Sequence, residues 1–217
     1  MNISIIGGTG KLGFGLAKRF ASINHSVVIG SRDKEKAVSK ATEINEEFNS
    51  FHVKGEDISA AAECGDIVFI TVPYAAQKDT IEKIKGHVKG KVVVDATVPL
   101  QPGNPTNQID SITSTAEDVL EILGNDVKLV SGFHTISHTV LNNLNSTIES
   151  DVLICSDDAE AIEIVSRLIE ELGANPVNAG MLKNARVLER LTPMIIGMNK
   201  HYKKRHIGIK VTGLEVN

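Results

Sequence analysis

The sequence predicts an α/β fold whose core is a doubly wound parallel sheet. Strand and helix patterns alternate along the 217 residues, as a series of right-handed βαβ units requires. Strand patterns such as residues 91–97 are almost continuously apolar, which is typical of parallel strands covered by helices on both faces. A glycine-rich turn lies between the first strand pattern and the first helix pattern, where such folds bind phosphate groups.

The first βαβ unit, residues 3–31, contains the most informative motif. Gly8, Gly10 and Gly13 match the pattern G-x-G-x-x-G, and this strand–turn–helix context predicts a dinucleotide site. Gly8 permits the tight turn, Gly10 lets backbone approach a pyrophosphate, and Gly13 lets the helix pack closely on the strand. The pyrophosphate is expected at the exposed N–H groups of the helix start, where the helix dipole favours anions.

The end of the second strand predicts which dinucleotide binds. NAD-binding units carry an acidic residue about 20 residues past the turn, where it holds the ribose 2′-hydroxyl. This sequence has Ser31 and Arg32 there, with Lys34 and Lys36 close behind. A guanidinium can pair with a 2′-phosphate, whereas a carboxylate would repel it. Asp33 is expected to face away or to cap the next helix. The cofactor is therefore predicted to be NADP(H).

The remaining elements follow in the same alternating order. Helices are predicted over 34–48, 57–63, 75–88, 114–123, 157–172 and 182–202, and strands over 51–53, 66–73, 91–97, 127–132, 151–155 and 176–179. Pro99 to Asn107 carries three of the six prolines and predicts a loop. Pro193 is expected to interrupt the last helix. Residues 1–130 are predicted to form a nucleotide-binding domain, and 131–217 a small C-terminal lobe that completes the cleft.

Composition and charge exclude several classes of protein. The chain is 41% hydrophobic and 23% charged with a net charge of −4, which is ordinary for a soluble globular protein and offers no basic field for nucleic acid. The first strand begins within two residues of Met1, and no apolar run reaches membrane-spanning length, so neither a signal peptide nor a membrane segment is expected. Cys64 and Cys155 are expected to be buried thiols of a cytoplasmic protein.

Four segments are expected to line the crevice at the carboxyl ends of the strands: Gly8–Gly13, Thr71–Pro73, Thr97–Pro99 and Phe133–Ile136. Apolar residues beside a threonine suit a nicotinamide ring. The sequence contains no G-x-S-x-G elbow, no acidic metal cluster and no Lys/Tyr acid–base spacing. Hydride transfer between two cofactors fits this composition, because it needs only that the rings be held in contact and that water be excluded.

His134 is the best polar candidate in the crevice. It could hydrogen-bond a substrate ring or stabilise developing negative charge, or it could be a structural histidine bonded to backbone. His138 lies four residues further, but no third ligand is near in the sequence, so no metal site is expected. The basic run 201–206 could contact an anionic cofactor tail, although a solvated helix end is the more ordinary interpretation.

Together these motifs resemble those of the NADPH-dependent reductases of the deazaflavin coenzyme F-420. The resemblance covers Ile6–Gly13, Val28–Arg32, Ser131–Ile136, Leu191–Pro193 and Gly208–Lys210. It implies a Rossmann domain with a small C-terminal lobe, commonly paired as a homodimer. It also implies reversible hydride transfer between NADP(H) and coenzyme F-420, driven by ring placement with no covalent intermediate.

The resemblance assigns roles to residues by position, and the crevice adds two more. The pyrophosphate would be held by Thr9, Gly10, Lys11 and Leu12, between the motif glycines Gly8 and Gly13. The 2′-phosphate would be held by Ser31, Arg32 and Lys36, and the two rings by Val72, Pro73, Val98, Pro99, His134 and Ile136. Ser137 and His138 depart from the family pattern beside the deazaflavin pocket.

Two alternative functions stay open. The nucleotide module also resembles the cytoplasmic NADPH–flavin domains of ferric reductases, which would make a flavin or another acceptor the partner of NADPH. A non-catalytic NADP sensor, whose bound nucleotide regulates a partner protein, belongs to a different class. Turnover with any acceptor would distinguish the enzymes from the sensor.

Overall fold

The fold is a mostly parallel sheet of eight strands with helices on both faces, which confirms the predicted α/β class. The computed structural model describes residues 1–49 and 52–214. The strands are β1 (Asn2–Ile6), β2 (Ser26–Ser31), β3 (Val53–Asp57), β4 (Ile67–Ile70), β5 (Val92–Asp95), β6 (Leu100–Gln101), β7 (Asn104–Gln108), β8 (Lys128–Gly132), β9 (Val152–Cys155) and β10 (Pro176–Asn178). The helices are α1 (Lys11–Ser22), α2 (Lys34–Phe48), α3 (Ile58–Cys64), α4 (Tyr74–Ile84), α5 (Thr115–Leu123), α6 (His138–Asn142), α7 (Ala159–Glu171) and α8 (Ala185–His201).

The strand order places the binding edge of the sheet. The order is β10-β9-β8-β5-β4-β1-β2-β3, with β9 antiparallel to β8 and β10 parallel to β9. The chain winds outward from β1 in one direction and from β4 in the other, so the topological switch point lies between these two strands. Ligands of such sheets bind outside the carboxyl ends of the strands at this point.

The sheet also crosses the predicted domain boundary. β8 spans residue 130, pairs with β5 on one side, and pairs with β9 on the other. The strands that follow residue 131 therefore extend the first sheet. The division into a domain of residues 1–130 and a lobe of residues 131–217 stays a prediction.

Two hydrophobic cores cover the two faces of the sheet. On one face, Ile5 and Phe69 pack with side chains of α1, α2 and α7. On the other face, Ile6, Ile70 and Val93 pack with side chains of α3, α4, α5 and α8. Because both faces are buried, the strands are apolar at nearly every position, and polar side chains concentrate at the strand ends.

Three predicted elements differ from the structure. The strand predicted over 51–53 is β3, which begins at Val53, and Phe51 lies outside the described residues. The predicted loop over Pro99–Asn107 contains the antiparallel hairpin β6–β7, where Pro105 occupies an exposed position of a two-stranded ribbon and blocks no further pairing. α8 continues through Pro193, whose buried ring is held by packing.

The two cysteines differ in exposure. Cys155 is buried, as predicted, but Cys64 is exposed, so the prediction of a buried thiol was wrong there. The short helix α3 turns Ala61 and Ala62 toward the core, which leaves Cys64 on the outer side. Within the described residues, no helix is both long enough and apolar enough to cross a membrane.

Candidate active site

The glycine turn closes tightly against the end of β1. Gly7 has a φ of +86°, a left-handed conformation that favours glycine, and Gly8 N donates to Ile5 O at 3.1 Å. A Cβ on Gly13 would lie 2.8 Å from the Cα of Gly8 and 2.9 Å from the carbonyl oxygen of Gly7. The predicted packing role of Gly13 is therefore confirmed, because a side chain would force the helix away from the turn.

The N-terminus of α1 is open to an anion. Gly10 is its N-cap residue, no side chain caps it, and the first turn contains no acidic residue. The first N–H groups of a helix have no partner within the helix, and here they combine with the positive end of the dipole. Gly10 and Lys11 are exposed and Leu12 is half-buried. This geometry fits the pyrophosphate of a dinucleotide.

The charged residues after β2 divide into engaged and free side chains. Asp33 caps α2, as predicted, by accepting a hydrogen bond from Lys36 N at 3.0 Å. Lys34 pairs with Glu56 at 2.6 Å. Among the described residues, the side chains of Arg32 and Lys36 have no ion-pair partner, and both are exposed. The cations left for a 2′-phosphate are therefore the two that the sequence singled out.

The predicted ring-binding residues lie at the carboxyl ends of three adjacent strands. One pair follows β4, one follows β5 and one follows β8, and these strands are neighbours in the sheet. Their side chains range from buried to exposed: Pro99, His134 and Ile136 are buried, Val72 and Val98 are half-buried, and Pro73 is exposed. Ser31 is buried at the end of β2, on the other side of β1, and Thr9 is half-buried in the glycine turn.

His134 is buried without a hydrogen-bond partner for its ring. It is 7% exposed, and neither ring nitrogen has a partner among the described residues. Burial lowers the pKa of His134 to about 4, so the ring is neutral at pH 7 and has one donor and one acceptor nitrogen. The alternative of a ring bonded to backbone is not what the structure shows. Buried polar groups normally have partners, so these nitrogens fit a ligand or an ordered water.

The backbone around His134 is fixed from α8. Thr192 Oγ1 donates a hydrogen bond to the carbonyl oxygen of His134 at 2.9 Å. The preceding residue, Phe133, has a φ of +65°, which is uncommon for a bulky side chain, and its ring packs edge-on against Phe69. The backbone at His134 is therefore held by contacts with two separate parts of the chain.

Arg19 holds the segment after His134 against α1, a contact that the sequence does not predict. Arg19 is buried, and the three hydrogens on its Nε and one terminal nitrogen are shared among four carbonyl oxygens at 2.7 to 3.2 Å, those of Val140, Leu141, Asn143 and Ser146. Asn142 adds a hydrogen bond to the carbonyl oxygen of Lys11 at 2.8 Å. The glycine-turn helix and the His134 segment are thereby joined in one rigid unit.

A buried polar network lies at the end of β5, and it too was missed. Asp95 is fully buried, and its Oδ2 accepts from Gln77 Nε2 at 3.0 Å. Glu189 of α8 reaches the first turn of α5 and accepts from Thr115 N at 3.1 Å. An acid at the end of the apolar run of β5 was a signal that could have identified Asp95. Nothing local distinguishes Glu189 from the other acids of the chain.

Burial changes the ionisation of both acids in this network. It raises the pKa of Asp95 to about 6 and the pKa of Glu189 to about 8, although hydrogen bonds to both groups oppose the shift. Nearby Glu117 behaves in the opposite way, because Arg186 lowers its pKa to about 2. At pH 7 Glu189 is therefore mostly protonated, whereas Asp95, which has the lower of the two pKa values, is mostly ionised.

The remaining candidates lie at the surface. His138 is exposed at the start of α6, and within residues 1–49 and 52–214 no group of three or more His, Cys, Asp or Glu is arranged to hold a metal ion. The basic run 201–206 is exposed, and the carbonyl oxygen of Arg205 accepts from the hydroxyls of Ser137 and Thr139. Contact of this run with a cofactor tail stays a prediction.

Comparison with known proteins agrees with this geometry. Residues 2–99 match the family model described as NADP oxidoreductase coenzyme F420-dependent. The chain is 35% identical over 224 residues to the F420-dependent NADP reductase of Methanocaldococcus jannaschii, covering 100% of both chains. It is 38% identical over 224 residues to the enzyme of the same name from Methanothermobacter marburgensis, covering 99% of both.

A solved structure shows the same fold. A putative F420-dependent NADP reductase from Arthrobacter sp. FB24 superposes with a TM-score of 0.83 at 21% identity, covering 98% of this chain and 99% of that one. At this identity the similarity supports the fold alone. The full-length relatives support more, and the chain belongs to the family of F420-dependent NADP reductases.

Proposed function

We propose that this chain transfers a hydride reversibly between NADP(H) and coenzyme F-420. The observation that carries the proposal is the pairing, at one edge of the sheet, of an uncapped helix N-terminus with a buried histidine whose ring has no partner among the described residues. The first fits a dinucleotide pyrophosphate, and the second fits a polar ring of a second ligand. The names of the full-length relatives supply the identity of that second ligand.

The dinucleotide would be held mainly by backbone and by two cations. The turn residues Thr9, Gly10, Lys11 and Leu12 would bind the pyrophosphate, since their segment ends in the open first turn of α1. Arg32 and Lys36, next to Ser31, would bind the 2′-phosphate, because the neighbouring charges are already engaged. This division of charges supports NADP(H) over NAD(H).

The two rings would meet between the ends of β4, β5 and β8. When bound, the cofactors supply the hydride chemistry, and the protein supplies position and a dry environment. Val72, Pro73, Val98 and Pro99 would form the wall at the nicotinamide side, while His134 and Ile136 would contact the deazaflavin. The neutral His134 ring can donate one hydrogen bond and accept another, so it can orient a polar heterocycle without adding a charge.

We also propose a homodimer in the cytoplasm. Val187, Met194, Met198 and Tyr202 are exposed by 61, 50, 37 and 60% and recur at spacings that place them along one face of α8. Such an apolar face supports pairing with a second copy. The exposed free thiol of Cys64 fits a reducing compartment. Sedimentation of Met194→Glu as a monomer, beside a wild-type dimer, would test the pairing.

The function is tested by mixing NADPH and oxidised coenzyme F-420 with the purified protein and following absorbance, with FMN and FAD in parallel. Rapid bleaching of the deazaflavin alone is the expected result. Bleaching of a flavin alone would show the flavin-reductase alternative. Bound NADPH without turnover of any acceptor would show the sensor.

His134→Ala sharpens the same assay. We expect slower deazaflavin turnover with NADPH affinity changed by less than about twofold, because the lost contact concerns only the second ring. His87→Ala is the matched control, since His87 is a half-buried histidine after α4 whose one ion-pair contact is with Glu63, outside the site. Equal behaviour of the two variants would remove His134 from the site.

A further inference from the structure

A row of polar side chains crosses three neighbouring strands beneath α5 and α8. Asp95 of β5 is the register partner of Ser131 of β8, which in turn is the partner of Cys155 of β9. Register partners lie on the same face of a sheet, and all three residues are fully buried. Apolar side chains make up most of the rest of this face, so the row places hydrogen-bonding groups where burial is costly unless they are satisfied.

One hydroxyl group connects the two acids beside this row. Thr115 Oγ1 lies 3.1 Å from Asp95 Oδ2, 2.9 Å from Glu189 Oε1 and 3.0 Å from the carbonyl oxygen of Thr97. A hydroxyl has one hydrogen and can satisfy only one of these three acceptors. A proton on one carboxyl group resolves the conflict between the two acids, because that carboxyl donates to Thr115 Oγ1 and Thr115 donates to the other; the carbonyl oxygen of Thr97 then receives no hydrogen from Thr115. Reversing both hydrogen bonds moves the proton from one acid to the other.

The charges around the two acids favour this shared proton. On α8, Arg186 is engaged with Glu117 of α5 through two hydrogen bonds of 2.7 and 2.6 Å. On β9, burial raises the pKa of the Cys155 thiol to about 12, so it stays neutral, and Asp157 beyond it is a further negative charge. From α4 the facing group is the neutral amide of Gln77.

No compensating cation reaches the acids. Among the described residues, no Lys, Arg or His pairs with Asp95 or Glu189. Two negative charges so close together in a buried site are unfavourable, so the pair retains one proton at neutral pH.

The network continues toward the ring pocket. The buried side-chain atoms without a partner in the described residues are Thr97 Oγ1, Ser131 Oγ and the two ring nitrogens of His134. All of them come from the ends of β5 and β8, and Thr97 N donates to Asp95 Oδ1 at 3.2 Å. Buried polar atoms of this kind bind ordered water or ligand. They therefore place polar atoms at the ends of the two neighbouring strands that lead to Asp95 and His134, where ordered water would have to connect them.

We propose that Glu189, Thr115 and Asp95 form a proton relay that stores one proton and exchanges it with the ring pocket through Thr97, Ser131 and His134. The proposal rests on the proposed function. Reduction of a deazaflavin takes up the hydride of NADPH and one proton, and yields NADP and the reduced deazaflavin. The relay would release that proton toward His134 and regain one from solvent, and the reverse reaction would load it. The relay acids are positioning residues, because they act through others.

The shared proton is tested first on the protein without cofactors. An infrared spectrum recorded at pH 7 should show the band of a protonated carboxyl group in the wild type, because exposed acids are ionised at that pH. The spectrum of Glu189→Gln should lack this band. Thr80→Val is the matched control, because Thr80 is a buried hydroxyl that bonds only to its own helix. Absence of the band from the wild type at pH 7 would overturn the shared proton.

Stability against pH gives an independent readout. The pKa of Glu189 is raised from 4.5 to about 8 by folding, so its contribution is present below pH 4.5 and is lost as the pH rises through 8. The loss of this contribution should therefore lower the melting temperature of the wild type between pH 4.5 and about pH 8, the unfolded and folded pKa values of Glu189. Glu189→Gln should flatten this slope, and an unchanged slope would contradict the assignment.

Turnover tests whether the relay serves the reaction. At pH 7 to 8, Glu189→Gln and Thr115→Val should lower kcat for NADPH and coenzyme F-420 by roughly tenfold or more, with a larger solvent isotope effect and KM changed by less than about twofold. Thr115→Ser keeps the hydroxyl and should restore kcat, which separates the relay from a folding defect. Thr80→Val should behave as the wild type.

The outcomes separate the two proposals. If Glu189→Gln loses the infrared band but keeps the kcat and pH profile of the wild type, the pair is structural and the relay is overturned. If the wild type shows the band but does not turn over coenzyme F-420, the proposed function fails along with the catalytic role of the relay, and the shared proton stands.

Discussion

The glycine turn and the His134 segment lie at the same edge of the sheet but are held in place in different ways. The turn is fixed by backbone contacts between near neighbours, such as Gly8 N to Ile5 O and Gly10 N to Gly7 O. The segment that begins at His134 is fixed by side chains from distant parts of the chain, including Arg19 and Thr192. The turn also has one longer-range bond, from Gly7 N to Gly30 O at 2.9 Å. The first half of the cleft therefore depends mainly on a local motif, whereas the second half depends on contacts that form only in the folded protein.

The largest expected effect comes from removing the long-range contacts that hold the His134 segment in place. Arg19→Ala removes the donor of four carbonyl groups that follow His134, and unsatisfied buried groups cost about 1–3 kcal/mol each. Since part of this loss is relieved by water, we expect the free energy of unfolding to fall by about 3 kcal/mol. Chemical denaturation of the wild type and of Arg19→Ala would measure this difference in the free energy of unfolding.

Arg19→Ala should also lower the rate of deazaflavin turnover, because the His134 segment loses its attachment to α1. Arg167→Ala is the control, since Arg167 is an exposed arginine with only a 3.9 Å contact to Glu163, and its loss should change stability by less than about 0.5 kcal/mol. If the two variants unfold alike, the four hydrogen bonds of Arg19 do not stabilise the segment.

A single methyl group added at Gly13 should disrupt the local packing of the glycine turn against α1. The Cβ of Gly13→Ala would lie 2.8 Å from Gly8 Cα and 2.9 Å from Gly7 O, so the turn and α1 must separate. We expect a loss of about 2 kcal/mol in stability and weaker NADPH binding, since the pyrophosphate site moves. Calorimetry of unfolding and of NADPH binding measures both.

A second glycine in a helix gives the matched control. No atom lies within 4 Å of a Cβ built on Gly197 of α8. Gly197→Ala should therefore stabilise the protein by about 0.5–1 kcal/mol through helix propensity alone. A loss of stability in Gly197→Ala as large as that in Gly13→Ala would mean that the close contact at Gly13 is not the cause, because helix propensity alone favours alanine at both positions.

The same contrast explains what the sequence could predict. The βαβ order, the glycine turn and the cap at Asp33 depend on residues close together in the chain, and the structure confirms them. The contacts of Arg19 and Glu189 join residues more than 70 positions apart, and each residue alone has the appearance of an ordinary helix charge. The β6–β7 hairpin was missed because its prolines favour a loop unless the ribbon has a free edge.

The smallest expected effect concerns the preference for NADPH over NADH, and it tests Arg32, which directly follows β2. Arg32→Ala should weaken NADPH binding by roughly tenfold or more while NADH binding changes by less than about twofold, because a hydrogen bond to a charged partner contributes about 1.5–3 kcal/mol and only NADPH has the 2′-phosphate. Lys34→Ala is the matched control, since Lys34 is already paired with Glu56 at 2.6 Å and should affect both nucleotides little. Equal weakening of NADPH and NADH in Arg32→Ala would show that Arg32 acts on the turn and not on the phosphate. In that case Lys36, the other cation without an ion-pair partner among the described residues, would be the one to hold it.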